Sequence, residues 1–256
     1  MDIVKGTKIN QLLTNIDPSG LIFSSWLKSK GYSDQLQKQY RDSGWLISLS
    51  QGVMYRAGST LSAYSALASC NLQTGSMHRI AAHSALEYAG FNHYVPMGKP
   101  TLAVALNPTK RRPAWMGKDA FDMTFRTFRT ETFPESEVIT NVTKHGIQYI
   151  SSPEQAFLEC LLLAPKYYDY MDLYYIMEQL ITLRSDVVQR LLESCRNFSI
   201  KRMFLYMAEK AGHYWFSELE TKKITLGTSK IQLVANGAYV PKYRITIPKA
   251  LSDYEG

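Results

Sequence analysis

The chain has 256 residues, 45% of them hydrophobic, which is enough for one large domain or two moderate ones with a buried core and makes disorder an unsuitable description. No run of about eighteen apolar residues occurs and the start "MDIVKGTKINQLL" lacks the apolar stretch and cleavage site of a leader, so a cytoplasmic protein with no membrane partner is expected. The net charge of +7 is segregated: Lys and Arg number seven against four Asp and Glu in residues 1–58, six against two in 107–130, four against ten in 131–195 and ten against three in 196–249, so basic blocks suited to a polyanion flank an acidic one.

In chain order, residues 3–14 place Ile3, Ile9, Leu12 and Leu13 on one side of a helix that Asp17-Pro18-Ser19-Gly20 ends. The stretch "IFSSWLKSKG" predicts a short second helix carrying Phe23, Trp26 and Leu27 and closed by Gly31. Ser33 suits the N-cap of a third helix, 33–42, in which Leu36 and Tyr40 face one way while Asp34, Gln35, Lys38, Arg41 and Asp42 face the other. Gly44 closes it, and "WLISL" and "VMYR" follow as strands around Ser50-Gln51-Gly52, where the glycine can take a positive φ. Trp45, Ile47 and either Met54 or Tyr55 are expected to pack this hairpin onto the helices. Three short helices followed by a hairpin are the order of a winged helix-turn-helix, with the hairpin as the wing.

Helical patterns are next expected over 60–70 and 76–90, and the cluster "PMGKP" at 96–100 marks a joint. "TLAVAL" (101–106), "FDMTFRTFR" (121–129) and "GIQYIS" have the composition or alternation of strands, Ser152 and Pro153 start a helix, and helical patterns cover 152–164, 168–182, 184–196 and 199–212. "KKITLG", "KIQLVA" and "YRITIP" return to β. The fold class predicted is α+β: an N-terminal DNA-binding domain over 1–95, made of a winged helix (1–58) and a helical extension, followed by a larger mixed α+β domain over 96–256.

Cys70, Cys160 and Cys195 are too dispersed for a disulfide framework or a zinc cluster. His78 and His83 are five apart, off the common helix face that a spacing of four gives, and His83 with Glu87 offers too few ligands for zinc, so no metal and no cofactor are expected. "WMGKDA" has Arg112 and Asp119 where a phosphate loop needs glycine and a hydroxyl. Glu220-Thr221-Lys222 resembles the Glu-x-Lys half of a metal-dependent nuclease site but has no well-placed upstream aspartate. A nuclease with a winged-helix targeting module is therefore the rival reading, and a regulator sensing a small ligand in the aromatic-rich C-terminal half is a third.

Binding chemistry is more legible. Gln35 and Lys38 can reach base edges, glutamine matching adenine and lysine the acceptors of guanine. Ser24, Ser25, Arg41 and Arg56 suit phosphate, which sets register without reading sequence. Ser33, Asp34 and Gln37 on the third helix and Gln51 at the hairpin tip complete the expected DNA-binding set.

The run "GLIFSSWLKSKGYSDQLQKQYRDSGWLISLSQGVMYRAG", followed by "AHSALEYAGFNHYVPMG", "TLAVAL" and "RRPAW", resembles the AbiEi family of antitoxins, transcriptional regulators of type IV toxin–antitoxin (abortive infection) systems. The resemblance is carried by Trp26, Leu27, Gly31, Tyr40, Ser43-Gly44-Trp45-Leu46, Gly52, Ala85-Leu86-Glu87, Gly90, His93-Tyr94, Pro113 and Trp115. It implies an N-terminal winged helix that binds inverted repeats in the protein's own promoter, with 33–42 as recognition helix and 45–56 as wing. It also implies a C-terminal domain that neutralises a nucleotidyltransferase-like toxin, with no catalysis of its own. Inverted repeats would take two copies, as a dimer or a cooperative pair. The chain departs from the family at Ile80-Ala81-Ala82, where glycines are usual, and its similarity thins after about residue 135. The antitoxic surface is sought among the basic residues Lys110, Arg111, Arg112, Arg126, Arg129, Lys201, Arg202, Lys222 and Lys223.

Overall fold

The computed structural model describes residues 3–91 and 98–255, with side chains from Lys8 onward. The domain division expected at residue 95 and the pair His93-Tyr94 lie outside the described residues. By contacts the chain forms two units: Met1–Ile80, Pro96–Arg129 and Thr140–Ile150 make the first, and Ala81–Val95, Thr130–Ile139 and Ser151–Gly256 the second.

The first unit opens with α1 (Ile3–Asn15), β1 (Ile22–Phe23), α2 (Ser24–Ser29), α3 (Asp34–Asp42), β2 (Leu46–Ser50) and β3 (Val53–Arg56). The strands form an antiparallel sheet in the order β1-β3-β2, so β1, which the sequence reading missed, gives the hairpin a third strand. Ile9, Leu12 and Ile16, spaced three and four apart along the chain, meet Ile22, Leu27, Tyr40, Leu46 and Met54 in one core. Ser33 caps α3 by accepting the Leu36 amide at 3.3 Å, and Gly44 at φ 72° turns the chain out of the helix into β2.

The hairpin packs differently from the expectation. Trp45 and Ile47 are 48% and 40% exposed, whereas Leu46 is buried beside Met54. Successive strand residues face opposite sides, so once Leu46 takes the core position its two neighbours must point to solvent.

The rest of this unit holds α4 (Ala63–Thr74) and, in a mixed sheet, β4 (Arg79–Ile80), β5 (Thr101–Ala105), β6 (Thr124–Phe128), most of β7 (Val138–Thr143) and most of β8 (Gly146–Ser151), in the order β6-β5-β4-β8-β7. The helix expected over 76–90 is interrupted here. Arg79 and Ile80 pair with Ala105 and Val104 on one side and with Tyr149 and Ile150 on the other, and these ladder bonds replace helical ones. β5 pairs in parallel with β6 and is buried from Leu102 to Ala105, which accounts for its uninterrupted apolar run.

The second unit contains α5 (Ala82–Tyr88), α6 (Pro153–Leu163), α7 (Tyr170–Gln179), α8 (Ser185–Ser194), α9 (Phe198–Ala211), α10 (Tyr214–Ser217), β9 (Ile231–Gln232), β10 (Ala238–Val240), β11 (Ile245–Ile247) and α11 (Lys249–Asp253). Ser152 caps α6 and Pro153 occupies its first position, as expected. α6 is buried from Glu154 to Leu161, and Phe157 meets Phe204 of α9 edge-on at 5.8 Å between ring centres. β11 lies between β10 and β9. The segment "KKITLG", expected as a strand, holds the end of a 3-10 turn, Thr221–Lys223.

α5 begins with Ala82 at φ 48°, the left-handed region that favours glycine, while its amide donates to the buried Glu159 carboxylate at 3.0 Å. Of Ile80-Ala81-Ala82, Ala82 is the residue with a positive φ. No helix among the described residues is long and apolar enough to cross a membrane.

Candidate nucleic-acid interface

α3 has two chemically distinct faces. Tyr40 and Gln37, three residues apart, are buried, while Asp34, Gln35, Lys38 and Gln39 are exposed. Gln35 and Lys38 have no polar partner among the described residues, so both are available to a ligand. Asp34 pairs with Lys28 of α2 at 2.9 Å. Arg41 is half-buried, its Nη1 lying 3.3 Å from Met54 Sδ, so it leans over the hairpin.

Gln37 requires a correction. Expected to contact DNA, it is 1% exposed: its Oε1 accepts the Ser24 hydroxyl at 2.7 Å and its Nε2 donates to the Tyr32 carbonyl at 2.9 Å. Its hydrogen-bonding capacity is used in joining α2 to α3, and Ser24 is half-buried with it. The Ser33 hydroxyl is engaged in the cap, and Ser25 is exposed. Gln51 is exposed at the hairpin turn, which is tied to α2 by the Ser24 amide donating to the Gly52 carbonyl at 2.8 Å. Arg56 is half-buried at the hairpin base.

The nine basic residues assigned to an antitoxic surface are divided. Lys110, Arg111, Arg112 and Arg129 are exposed and Arg126 half-buried in the first unit; Lys222 and Lys223 are exposed in the second. Lys201 and Arg202 are 3% and 1% exposed, so they are not surface residues. Lys201 Nζ donates to the Glu193 and Thr225 carbonyls at 3.2 and 3.3 Å. The Arg202 guanidinium donates to the carbonyls of Leu226, Gly227, Ser229 and Arg244, and burial, with Arg244 nearby, lowers its pKa. Both cations hold loops in place. Sequence periodicity misses this because α9 carries four charged residues, Lys201, Arg202, Glu209 and Lys210, and nothing local distinguishes the first two, which are buried, from the others, which are half-buried.

His78 is also structural. Burial first, then the charges of Arg129 and Lys110, keep its imidazole below the usual range, and Nδ1 accepts the Asn107 amide at 3.1 Å. His83 pairs with Glu87 at 3.3 Å on α5. Glu220, the residue of the nuclease reading, is exposed and bound to Lys223 at 2.7 Å. Among the described residues no three His, Cys, Asp or Glu side chains gather as a metal site would require.

A small helical unit with a three-stranded sheet, presenting one polar helix face, belongs with transcriptional regulators once the comparisons are added. Residues 5–97 match the family described as "Transcriptional regulator, AbiEi antitoxin N-terminal domain", and residues 99–248 that described as "Transcriptional regulator, AbiEi antitoxin, Type IV TA system". The chain belongs to this AbiEi antitoxin family, whose members are regulators with a cognate toxin. The crystal structure of the RV2827C protein from Mycobacterium tuberculosis is similar in fold, with a TM-score of 0.60 at 14% identity over 94% of this chain and 89% of that chain. No curated protein matches the chain.

Proposed function

We propose that this protein represses its own operon by binding inverted repeats in the promoter, and that it neutralises a nucleotidyltransferase-like toxin without catalysis of its own. In this reading the winged helix of segment 1–95 places α3 in the major groove, where Gln35 and Lys38 meet base edges. Ser25, Arg41, Gln51 and Arg56 meet phosphates. The observation that carries the reading is the exposed, unpartnered pair Gln35 and Lys38 on a helix whose opposite face is fixed by Tyr40 and Gln37. Asp34, already bound to Lys28, shapes the edge of that face. Two copies occupy one operator, in the cytoplasm, and antitoxic activity belongs to segment 96–256, whose exposed Lys222 and Lys223 remain candidates while Lys201 and Arg202 do not.

The test is binding to a duplex from upstream of the gene. Gln35→Ala with Lys38→Ala should abolish the preference for that duplex over random DNA. Arg56→Ala should weaken both alike and reduce the salt slope by about 1. Wild-type affinity no better for the upstream duplex than for random DNA at moderate salt would sink the repressor reading. For the toxin half, failure of co-expression to rescue growth from a neighbouring nucleotidyltransferase-like gene would sink it.

A further inference from the structure

We propose that Lys110 and Arg111 form a second phosphate-contacting site for operator DNA, beside the wing, and are not part of a toxin-directed surface. This rests on the DNA-binding reading of α3 and extends it to a loop outside the winged helix.

A cleft of about 470 Å³ in the first unit has the wing residues Ser50 and Gln51 among its walls, together with Lys110 and Arg111 from the loop after β5 and Thr74 and Ser76 from the end of α4. No carboxylate among the described residues lines it. The Thr74 hydroxyl donates to the Cys70 carbonyl and is bonded to the Ser76 hydroxyl, both at 2.7 Å, so the two cations with the Ser50 hydroxyl and the Gln51 amide are the donors left for phosphate oxygens, and the wing is the part of the proposed reader that runs beside the DNA backbone. Neither Lys110 nor Arg111 has an acidic partner among the described residues, although acidic residues hold Lys28, Lys99, Lys223 and Lys242 elsewhere. Their charges are therefore left for a polyanion.

The loop is held in shape before any ligand arrives. The Asn107 amide donates to His78 Nδ1 at 3.1 Å, the Thr109 amide to Asn107 Oδ1 at 3.0 Å and the Lys110 amide to the Asn107 carbonyl at 3.1 Å. Arg129 donates to the Lys110 carbonyl. Because His78 is kept neutral near pH 7, Nδ1 remains an acceptor and the loop anchor persists under the conditions of binding. A loop fixed in this way loses little further conformational freedom when it meets DNA.

The experiment measures binding of the full-length protein to its upstream duplex and to a random duplex across a salt series. Lys110→Ala with Arg111→Ala should weaken both by about ten-fold at 0.1 M salt, lower the slope of log K against log salt by about 2, and leave the preference between duplexes unchanged. Lys110→Arg with Arg111→Lys should restore the slope, and Lys222→Ala with Lys223→Ala should leave it at the wild-type value. If the alanine pair keeps wild-type affinity and slope while the Gln35 and Lys38 variant loses its preference, the reading of α3 stands and this proposal falls. An equal loss in the Lys222 and Lys223 variant, showing diffuse charge rather than a contact, would overturn it too. Wild-type protein that binds neither duplex removes both.

Discussion

The Ser24 hydroxyl donates to the Gln37 side-chain oxygen at 2.7 Å, latching the first residue of α2 to the middle of α3. The same amide reaches the Tyr32 carbonyl that joins the two helices, so one side chain sets their relative position. The exposed face of α3 is presented by this latch without containing it.

Replacing Gln37 with Leu therefore leaves the Ser24 hydroxyl and Tyr32 carbonyl without this partner at half-buried positions, at a cost of about 1 kcal/mol. Urea denaturation should show the loss, while the ratio of operator to random affinity at low temperature should stay near wild type. An unchanged midpoint would show that the latch contributes nothing.

Arg202 makes a stronger case. Arg202→Met keeps the bulk but strips donors from four carbonyls, of which those of Leu226 and Gly227 belong to half-buried residues and those of Ser229 and Arg244 to exposed ones, and a destabilisation of about 1–3 kcal/mol is expected. Lys222→Ala, at an exposed site, should change stability by less than about 0.5 kcal/mol. Similar midpoints for the two variants would contradict the buried role of Arg202.

Ala82 stands at φ 48°, where its Cβ is strained. Ala82→Gly relieves the strain and keeps the amide that donates to Glu159, so a gain of about 1 kcal/mol is expected, partly offset by the freer unfolded chain. Calorimetry should place Tm higher by about 2–4 °C. A lower Tm would mean that the missing methyl matters more to packing than the strain does.

Glu154 is 3% exposed. Burial acts to raise its carboxyl, but the Arg184 side chain at 3.0 and 3.1 Å, the Ser152 hydroxyl and the Arg184 amide outweigh it and hold the group below the ordinary glutamate range. A carboxyl depressed in the folded state stabilises above its unfolded pKa, and this stabilisation disappears as pH falls through the lower folded value. The stability difference between wild type and Glu154→Gln should thus be full at pH 7 and shrink in acid below about pH 4.3. A difference independent of pH would assign the effect to packing.

Several features were legible because their causes are local. The spacing of Leu36 and Tyr40, the caps at Ser33 and Ser152 and the turns at Gly44 and Gly52 depend on residues within a few positions, and each appears where the chain predicts it. Family resemblance was legible for the same reason, since it rests on runs such as "SGWL".

Other features depended on partners remote in the chain. Arg79 and Ile80 left a helical pattern because strands about 25 and 70 residues away offered ladders on both sides. Trp45 and Ile47 faced outward because the core accepted Leu46. The sequence by itself determined how many charges and amides this protein carries and where along the chain they lie. Only the tertiary structure decided that Gln37, Lys201 and Arg202 spend theirs inside while Gln35, Lys38, Lys110 and Arg111 keep theirs for solvent, because exposure is set by what packs around a residue and not by the residue itself.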